Sequence, residues 1–149
     1  MDGAFTSPEL NEIHAYWLAK RGQRRMPARQ DIEPTEIPRL LRNVMLIDVF
    51  HDPVRFRYRL IGTNVADATG ENRTGKCFDT MDFFAASSIV EEQYATAAAT
   101  GEPVHSLEPF YRLDTGTRYD VERLLLPLSS DGVTVDMVLG AMRYQRRGR

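Results

Sequence analysis

Cys77 in the run TGKCFDT, the histidines at 14, 51 and 105, and a few aspartates and tyrosines are the residues of this 149-residue chain best equipped for chemistry. Asp48, Asp67 or Asp120, if pushed into an apolar interior, would serve as a proton acceptor, with Tyr58 or Tyr94 donating to an oxyanion. His14, His51 and His105 fall on an expected helix, a turn and a strand, and no two of them share metal-ligand spacing. No Ser-His-Asp order, Cys-His pair or phosphate-cradling glycine loop is recognisable, and GTNVADATG is too poor in glycine to be one. These residues favour binding over catalysis. An enzyme with a carboxylate/tyrosine pair is the second reading.

Composition narrows the setting. Apolar residues make up 42% and charged residues 27%, with a net charge of −2, so no global field favours nucleic acid or an anionic membrane. The cations are nonetheless clustered, at Lys20, Arg21, Arg24, Arg25 and Arg29 and again at Arg143, Arg146, Arg147 and Arg149. Both groups are expected to be solvated surface, because stacking aromatics and a helix-turn-helix pattern do not accompany them. The opening MDGAFTSPEL lacks the basic and apolar regions of a signal peptide, and no apolar run reaches membrane-spanning length. A lone cysteine excludes an intramolecular disulfide and points to a reducing compartment, the cytoplasm.

The elements that must position these residues follow from period. Residues 7–21 predict a helix, with Ser7 as N-cap, Pro8 in the first turn and an apolar stripe through Leu10, Ile13 and Trp17. Residues 23–35 read as a connector, and a short second helix is expected near PTEIPRLLRN. Strands are expected over VMLIDVF (44–50) and RFRYRLIG (55–62), then short helical turns over 63–84 and a helix over 87–100 that ends at Gly101. Three more strands follow, at 103–113, 118–129 and 133–144, joined by the turn sequences DTGT and SDG.

RFRYRLIG alternates three arginines with Phe56, Tyr58 and Leu60, so one face of that strand is wet and the other apolar. A symmetric hairpin loop sets Asp48 opposite Arg57, Val49 opposite Phe56, Ile47 opposite Tyr58 and Met45 opposite Leu60. Centring the next hairpin on Thr115-Gly116 sets Glu108 opposite Arg123. Helices are expected to cover the apolar face, leaving the arginines in water, where they discourage edge pairing.

Two strands, a helical middle and three strands is the element order of the PAS fold. Trp17, MPARQDIEP (26–34), LIDVF (46–50), RYRLIGT (57–63), ENRTGKCFD (71–79) and LLLPLSSDG (124–132) together resemble a bacterial family of small, single-domain PAS-like proteins. Gly70, Gly75 and Lys76 sit where the PAS pattern places a glycine and a Gly-Lys pair. The resemblance covers about residues 13–142. It implies an α+β fold: a PAS-like five-stranded antiparallel sheet with helices packed on one face, plus an N-terminal amphipathic helix. The expected division is a helical extension over 1–40, the PAS-like domain over 41–145 and a basic tail over 146–149.

PAS domains are sensory or interaction modules that hold small molecules between sheet and helices. Tyr58, Asn64, Asp67, Phe78, Phe83, Phe84, Tyr94, Arg123 and Met137 are therefore the expected ligand-binding residues. Arg123, if turned inward, is either neutralised by Glu108 or available to a ligand carboxylate. The resemblance names no cofactor. TGKCFDT lacks the Asn, Arg and Gln neighbours with which light-sensing PAS domains hold flavin, and residues 78–100 lack the histidine that haem-binding ones use. The chain has no room for an output domain, so the expectation is a non-catalytic module signalling to a separate protein. Leu10, Ile13 and Trp17 are the expected homodimer interface, with packing of the same stripe on the domain itself as the alternative.

Overall fold

The computed structural model of the chain describes residues 5–70, 72–78, 88–112 and 114–147. Helix α1 spans Pro8–Arg21. Ser7 caps it, its Oγ accepting from the Leu10 N–H at 3.3 Å. The segment expected to form a second α-helix instead makes two 3-10 turns, Pro34–Glu36 and Pro38–Asn43, after a first at Arg29–Asp31. Pro34 and Pro38 account for this, since each starts a turn and neither can donate a helical hydrogen bond. Then come β1 (Val44–Phe50), β2 (Arg55–Ile61), α2 (Thr63–Thr69), α3 (Ser88–Thr100), β3 (Val104–Tyr111), β4 (Arg118–Leu128) and β5 (Met137–Arg146). The serine expected to cap α3 lies outside the described residues.

The five strands form one antiparallel sheet in the order β2-β1-β5-β4-β3. Three of the four expected β1–β2 pairs are present: Val49 with Phe56, Asp48 with Arg57 and Ile47 with Tyr58. The fourth is not. The register shifts between Leu46 and Ile47, so Leu46 meets Leu60 and Met45 meets Ile61. Arg59 is the extra residue of this irregularity, and Leu60, expected in the core, is 47% exposed. Phe56 and Tyr58 are buried as their alternation predicts, with Arg55 and Arg59 exposed.

The second hairpin also differs. Ser106, not Glu108, stands opposite Arg123, and Glu108 pairs with Val121. Strand β5 starts four residues later than expected, because Asp131 and Asp136 draw 129–136 into a loop. The Asp131 Oδ1 accepts from the Val133 and Thr134 N–H groups, and the Asp136 Oδ2 from the N–H and hydroxyl of Ser130. Side-chain acceptors of this kind compete with a strand ladder. Strand β3 is an edge strand and carries Pro109.

Two glycines are fixed by space. Gly62, between β2 and α2, passes so close to the Pro38–Asn43 turn that a Cβ there would lie 2.4 Å from the Leu41 carbonyl oxygen. Gly70 ends α2 in the left-handed region (φ 90) against the Arg112 guanidinium.

Helix α3 packs on one face of the sheet as expected, and the N-terminal helix α1 packs on the other. Adjacent residues of a strand point to opposite faces. Glu122 of β4 reaches the start of α1, whereas its neighbour Arg123 reaches Gln93 of α3. Helix α1 therefore covers the outer face of β4 and β5, and α3 the inner face. Leu10, Ile13 and Trp17 are 0–1% exposed and belong to the same hydrophobic cluster as the sheet. Burial of such side chains stabilises by about 1.5–3 kcal/mol each for the aliphatic ones. The stripe expected at a dimer contact is thus covered by the chain's own sheet, and a homodimer finds no free surface there. The division drawn at residue 40 separates two segments of chain that share one core.

Candidate functional site

On the inner face, alternate positions of the strands present Phe56 and Tyr58 (β2), Met142 and Tyr144 (β5), Val121 and Arg123 (β4), and Ser106 and Glu108 (β3). Arg123 is 7% exposed. Its Nη1 is ion-paired with the Glu108 Oε1 and donates to the Gln93 Oε1 at 3.3 Å. Gln93 closes the network: its Nε2 donates to the Glu108 Oε2 and its Oε1 accepts from the Ser106 hydroxyl, both at 3.2 Å. Four side chains from α3, β3 and β4 thus join helix to sheet. Glu108 reaches Arg123 along the diagonal of the ladder, two residues from the position the sequence register gave it. A buried guanidinium needs such a partner, because an unpaired one is too costly.

Beside this network, Phe56, Tyr58, Phe78 and Tyr94 form one aromatic cluster. Ring centroids are 4.7 Å apart for Tyr58–Phe78, 5.0 Å for Phe78–Tyr94 and 5.4 Å for Phe56–Phe78. Burial pushes the Tyr58 and Tyr94 phenols far above their usual range, with Arg73 opposing the effect at Tyr58 and Arg123 at Tyr94. Burial raises Tyr144 as well, opposed by Arg123 and Arg73. All three stay neutral, and Tyr144 donates to the Met142 Sδ at 3.9 Å. The Tyr94 hydroxyl, on a residue 1% exposed, has no hydrogen-bond partner among the described residues and lies 3.6 Å from where a Cβ on Gly140 would sit.

The structure brings together Tyr58, Phe78, Tyr94 and Arg123 of the expected ligand-binding set. It separates the others. Asn64 is exposed on α2 and donates to the Asn43 Oδ1 at 2.7 Å. Asp67 is exposed on the same helix, its carbonyl accepting from Arg112 at 2.8 Å; the buried face of α2 is Val65 and Ala68. Met137 pairs with Asp48 and Leu128 on the outer face, whereas Met45 and Met142 lie on the inner face. Phe83 and Phe84 lie outside the described residues. Gln93 and Tyr144 were missed. Gln93 belongs to the 90, 93/94, 97 stripe of α3, so its position was legible although its type gave no signal.

The carboxylates weighed for proton transfer are elsewhere. Asp48 is bound by Arg57 at 2.8 Å on the outer face, with Arg59 at 3.9 Å. Asp120 pairs with Arg147 at 3.5 Å, also on the outer face. Together with exposed Asp67, none of the three faces Tyr58 or Tyr94. The histidines are dispersed: His51 is held by the Val135 carbonyl at 2.7 Å, His105 by Glu122 at 2.8 Å, and His14 is buried in α1. Among the described residues no three His, Cys, Asp or Glu side chains gather as a metal would require. Cys77 is half-buried and bridges Arg57 at the edge of β2.

The early basic cluster is largely engaged within the chain. Arg24 donates to the Lys20 carbonyl at 2.6 Å and pairs with Asp31, Arg25 donates to the Thr100 carbonyl at 2.7 Å, and Lys20 pairs with Glu36. These cations neutralise helix C-termini. Among the described residues no helix is long and apolar enough to cross a membrane.

A family model described as PAS domain matches residues 5–143. The chain belongs to the PAS domain family, whose members are sensory or interaction modules. Solved structures agree in fold. A light-oxygen-voltage domain studied with a flavin analogue superposes with a TM-score of 0.54 at 16% identity, over 74% of this chain and 82% of that one. The LOV protein of Rhodobacter sphaeroides gives 0.51 at 15%, over 76% and 68%. An RNA-binding light-oxygen-voltage receptor gives 0.54 at 20%, over 79% of this chain but 35% of the receptor. At these identities the likeness is one of fold. No curated protein matches by sequence.

Proposed function

We propose that this PAS domain is a non-catalytic sensor that binds a small polar molecule between the inner face of the sheet and α3, and signals to a separate partner protein in the cytoplasm. The observation that carries the reading is the Gln93–Glu108–Arg123 network, in which a guanidinium on a residue 7% exposed is held between α3 and the sheet beside the Tyr58, Phe78 and Tyr94 rings. The Tyr94 hydroxyl, one position along α3, offers a donor to an acceptor on the same ligand. A ligand carboxylate would also compete with Glu108 for Arg123. Either event loosens Gln93 from the sheet and moves α3, which is a route from occupant to surface. Among the described residues Asp48, Asp67 and Asp120 face away from Tyr58 and Tyr94, which favours the binding reading over the carboxylate/tyrosine enzyme.

Mass spectrometry of whatever co-purifies, with an absorption spectrum of the fresh protein, identifies an occupant. Thermal-shift screening of polar and acidic small molecules follows. Tyr94→Phe and Arg123→Ala are each expected to abolish the shift that a hit produces. A hit whose shift survives both substitutions overturns the site. A pull-down from native lysate tests the partner.

A further inference from the structure

The outer face carries a second buried ionic group, which the ligand reading does not use. Glu122, 4% exposed, accepts hydrogen bonds from the Thr6 N–H at 3.0 Å, the Thr6 hydroxyl at 2.9 Å, the Ser7 N–H at 2.9 Å and the His105 Nε2 at 2.8 Å. Three of these four donors belong to the strap that leads into α1, more than a hundred residues away in sequence. Ser7 is the N-cap, so the carboxylate lies at the positive end of the helix dipole. Phe5 packs between two imidazoles, with its ring centroid 5.2 Å from His14 and 4.7 Å from His105. His14 is 4% exposed, stacks toward Trp17 at 6.4 Å and makes no hydrogen bond to a described residue. Trp17 ties the far end of α1 down, its Nε1 donating to the Pro127 carbonyl at 2.9 Å.

We infer that the strap and α1 form a proton-released cover over the outer face of β4 and β5, with His14 and Glu122 as the groups that sense the proton. What the cover hides is apolar: Leu124, Leu126, Leu139 and Ala141 are 0–2% exposed. The charged and titratable groups around the two sensors come from every element packed there. They are Glu9 and Arg21 on α1, His105 on β3 and Arg143 on β5, the last pairing with Glu122 across the ladder and with Glu9 at 3.6 Å.

Both sensors act in the same direction. Burial, followed by neighbouring positive charge that includes Arg21, pushes the His14 imidazole below its usual value. The docked state therefore holds it neutral, and docking weakens as pH falls below about 6.5, where a released His14 takes up its proton. Burial pushes the Glu122 carboxyl up, but the hydrogen bonds from His105, Thr6 and Ser7 outweigh it and hold the group below the usual carboxylate value. Its contribution is fully present above about 4.5 and is lost below that. Each proton taken up on release changes the docking equilibrium by at most about tenfold per pH unit.

Trp17 is the only tryptophan in the chain, so its fluorescence reports on α1 directly. The experiment follows acrylamide quenching of Trp17 and far-UV circular dichroism of the sheet together from pH 7.5 to pH 4. Quenching is expected to rise severalfold from about pH 6.5 downward while the sheet signal persists. His14→Leu should delay that rise to the carboxylate range, and Glu122→Gln should raise quenching already at neutral pH. Should Trp17 stay shielded until the sheet itself melts, or the His14→Leu curve coincide with the wild-type one, the cover is not proton-released. If His14→Leu does not fold, the His14 ring followed by proton NMR in the wild type decides the matter. Titration at its ordinary value while Trp17 remains shielded overturns the inference, and protonation in step with Trp17 exposure sustains it.

Discussion

Glu122 and Arg123 are neighbours in β4, yet they serve opposite faces of the sheet with opposite charge. Each is buried and each meets a β3 side chain, His105 for the glutamate and Glu108 for the arginine. Beyond that they diverge. Arg123 is joined to α3 through one amide, Gln93, and its carboxylate partner keeps 21% of its side chain exposed. Glu122 is joined to the α1 strap by three donors and keeps 5% exposure. The inner network is lightly held and can exchange a partner for a ligand. The outer one fixes a segment of chain, and its natural perturbation is a proton.

The largest effect should come from the outer face. Trp17→Ala removes a wholly buried ring and is expected to lower unfolding free energy by about 3–5 kcal/mol in a denaturant titration. Glu122→Ala comes next, at about 3 kcal/mol, because it strands the backbone donors of Thr6 and Ser7 and frees His105. Arg123→Ala should cost less, about 1–2 kcal/mol, since Glu108 can turn to water. Finding Arg123→Ala more damaging than Glu122→Ala would reverse the comparison. A finer test uses Tyr94→Phe, expected to change stability by less than about 1 kcal/mol because no described partner is lost, while abolishing ligand-induced shifts. Smallest of all is Arg57→Ala, within about 1 kcal/mol, as its pairing with Asp48 is partly solvated.

Acid titration sharpens the same contrast. Glu122 is held below the usual carboxylate value when folded, so it stabilises the fold above about pH 4.5 and loses that contribution as pH falls further. Glu122→Gln should flatten that limb of a stability-against-pH curve, whereas Arg123→Lys should leave its shape unchanged.

Much of the sheet was legible because β2 alternates cleanly and its greasy face has a single possible core. The reading failed where alternation continues but pairing does not: Arg59 keeps the polar beat yet is the unpaired extra residue, so nothing in residue type marks the shift. Strand β4 failed for the opposite reason. LLLPL at 124–128 is apolar on both faces, which is the mark of a strand covered twice. A helix over its outer side is therefore implied by the sequence, and of the two readings of the α1 stripe it favours packing on the domain over a dimer contact. Arg123 was recognised as the informative residue, but a hairpin loop two residues longer in effect than assumed gave it the wrong cross-strand neighbour. The histidine–glutamate contact was invisible, since 105 and 122 carry no motif and meet only through that register.

The added residue in β2 lies between two fixed points. Past it, Gly62 lies against the carbonyls of Leu41 and Arg42, a spot where a side chain cannot fit. The strand between Tyr58 and α2 therefore holds one residue of slack. Deleting Arg59 would restore even spacing while Leu60 stayed opposite Leu46 and Gly62 kept its niche, so the strand can lose that residue without moving either of its ends.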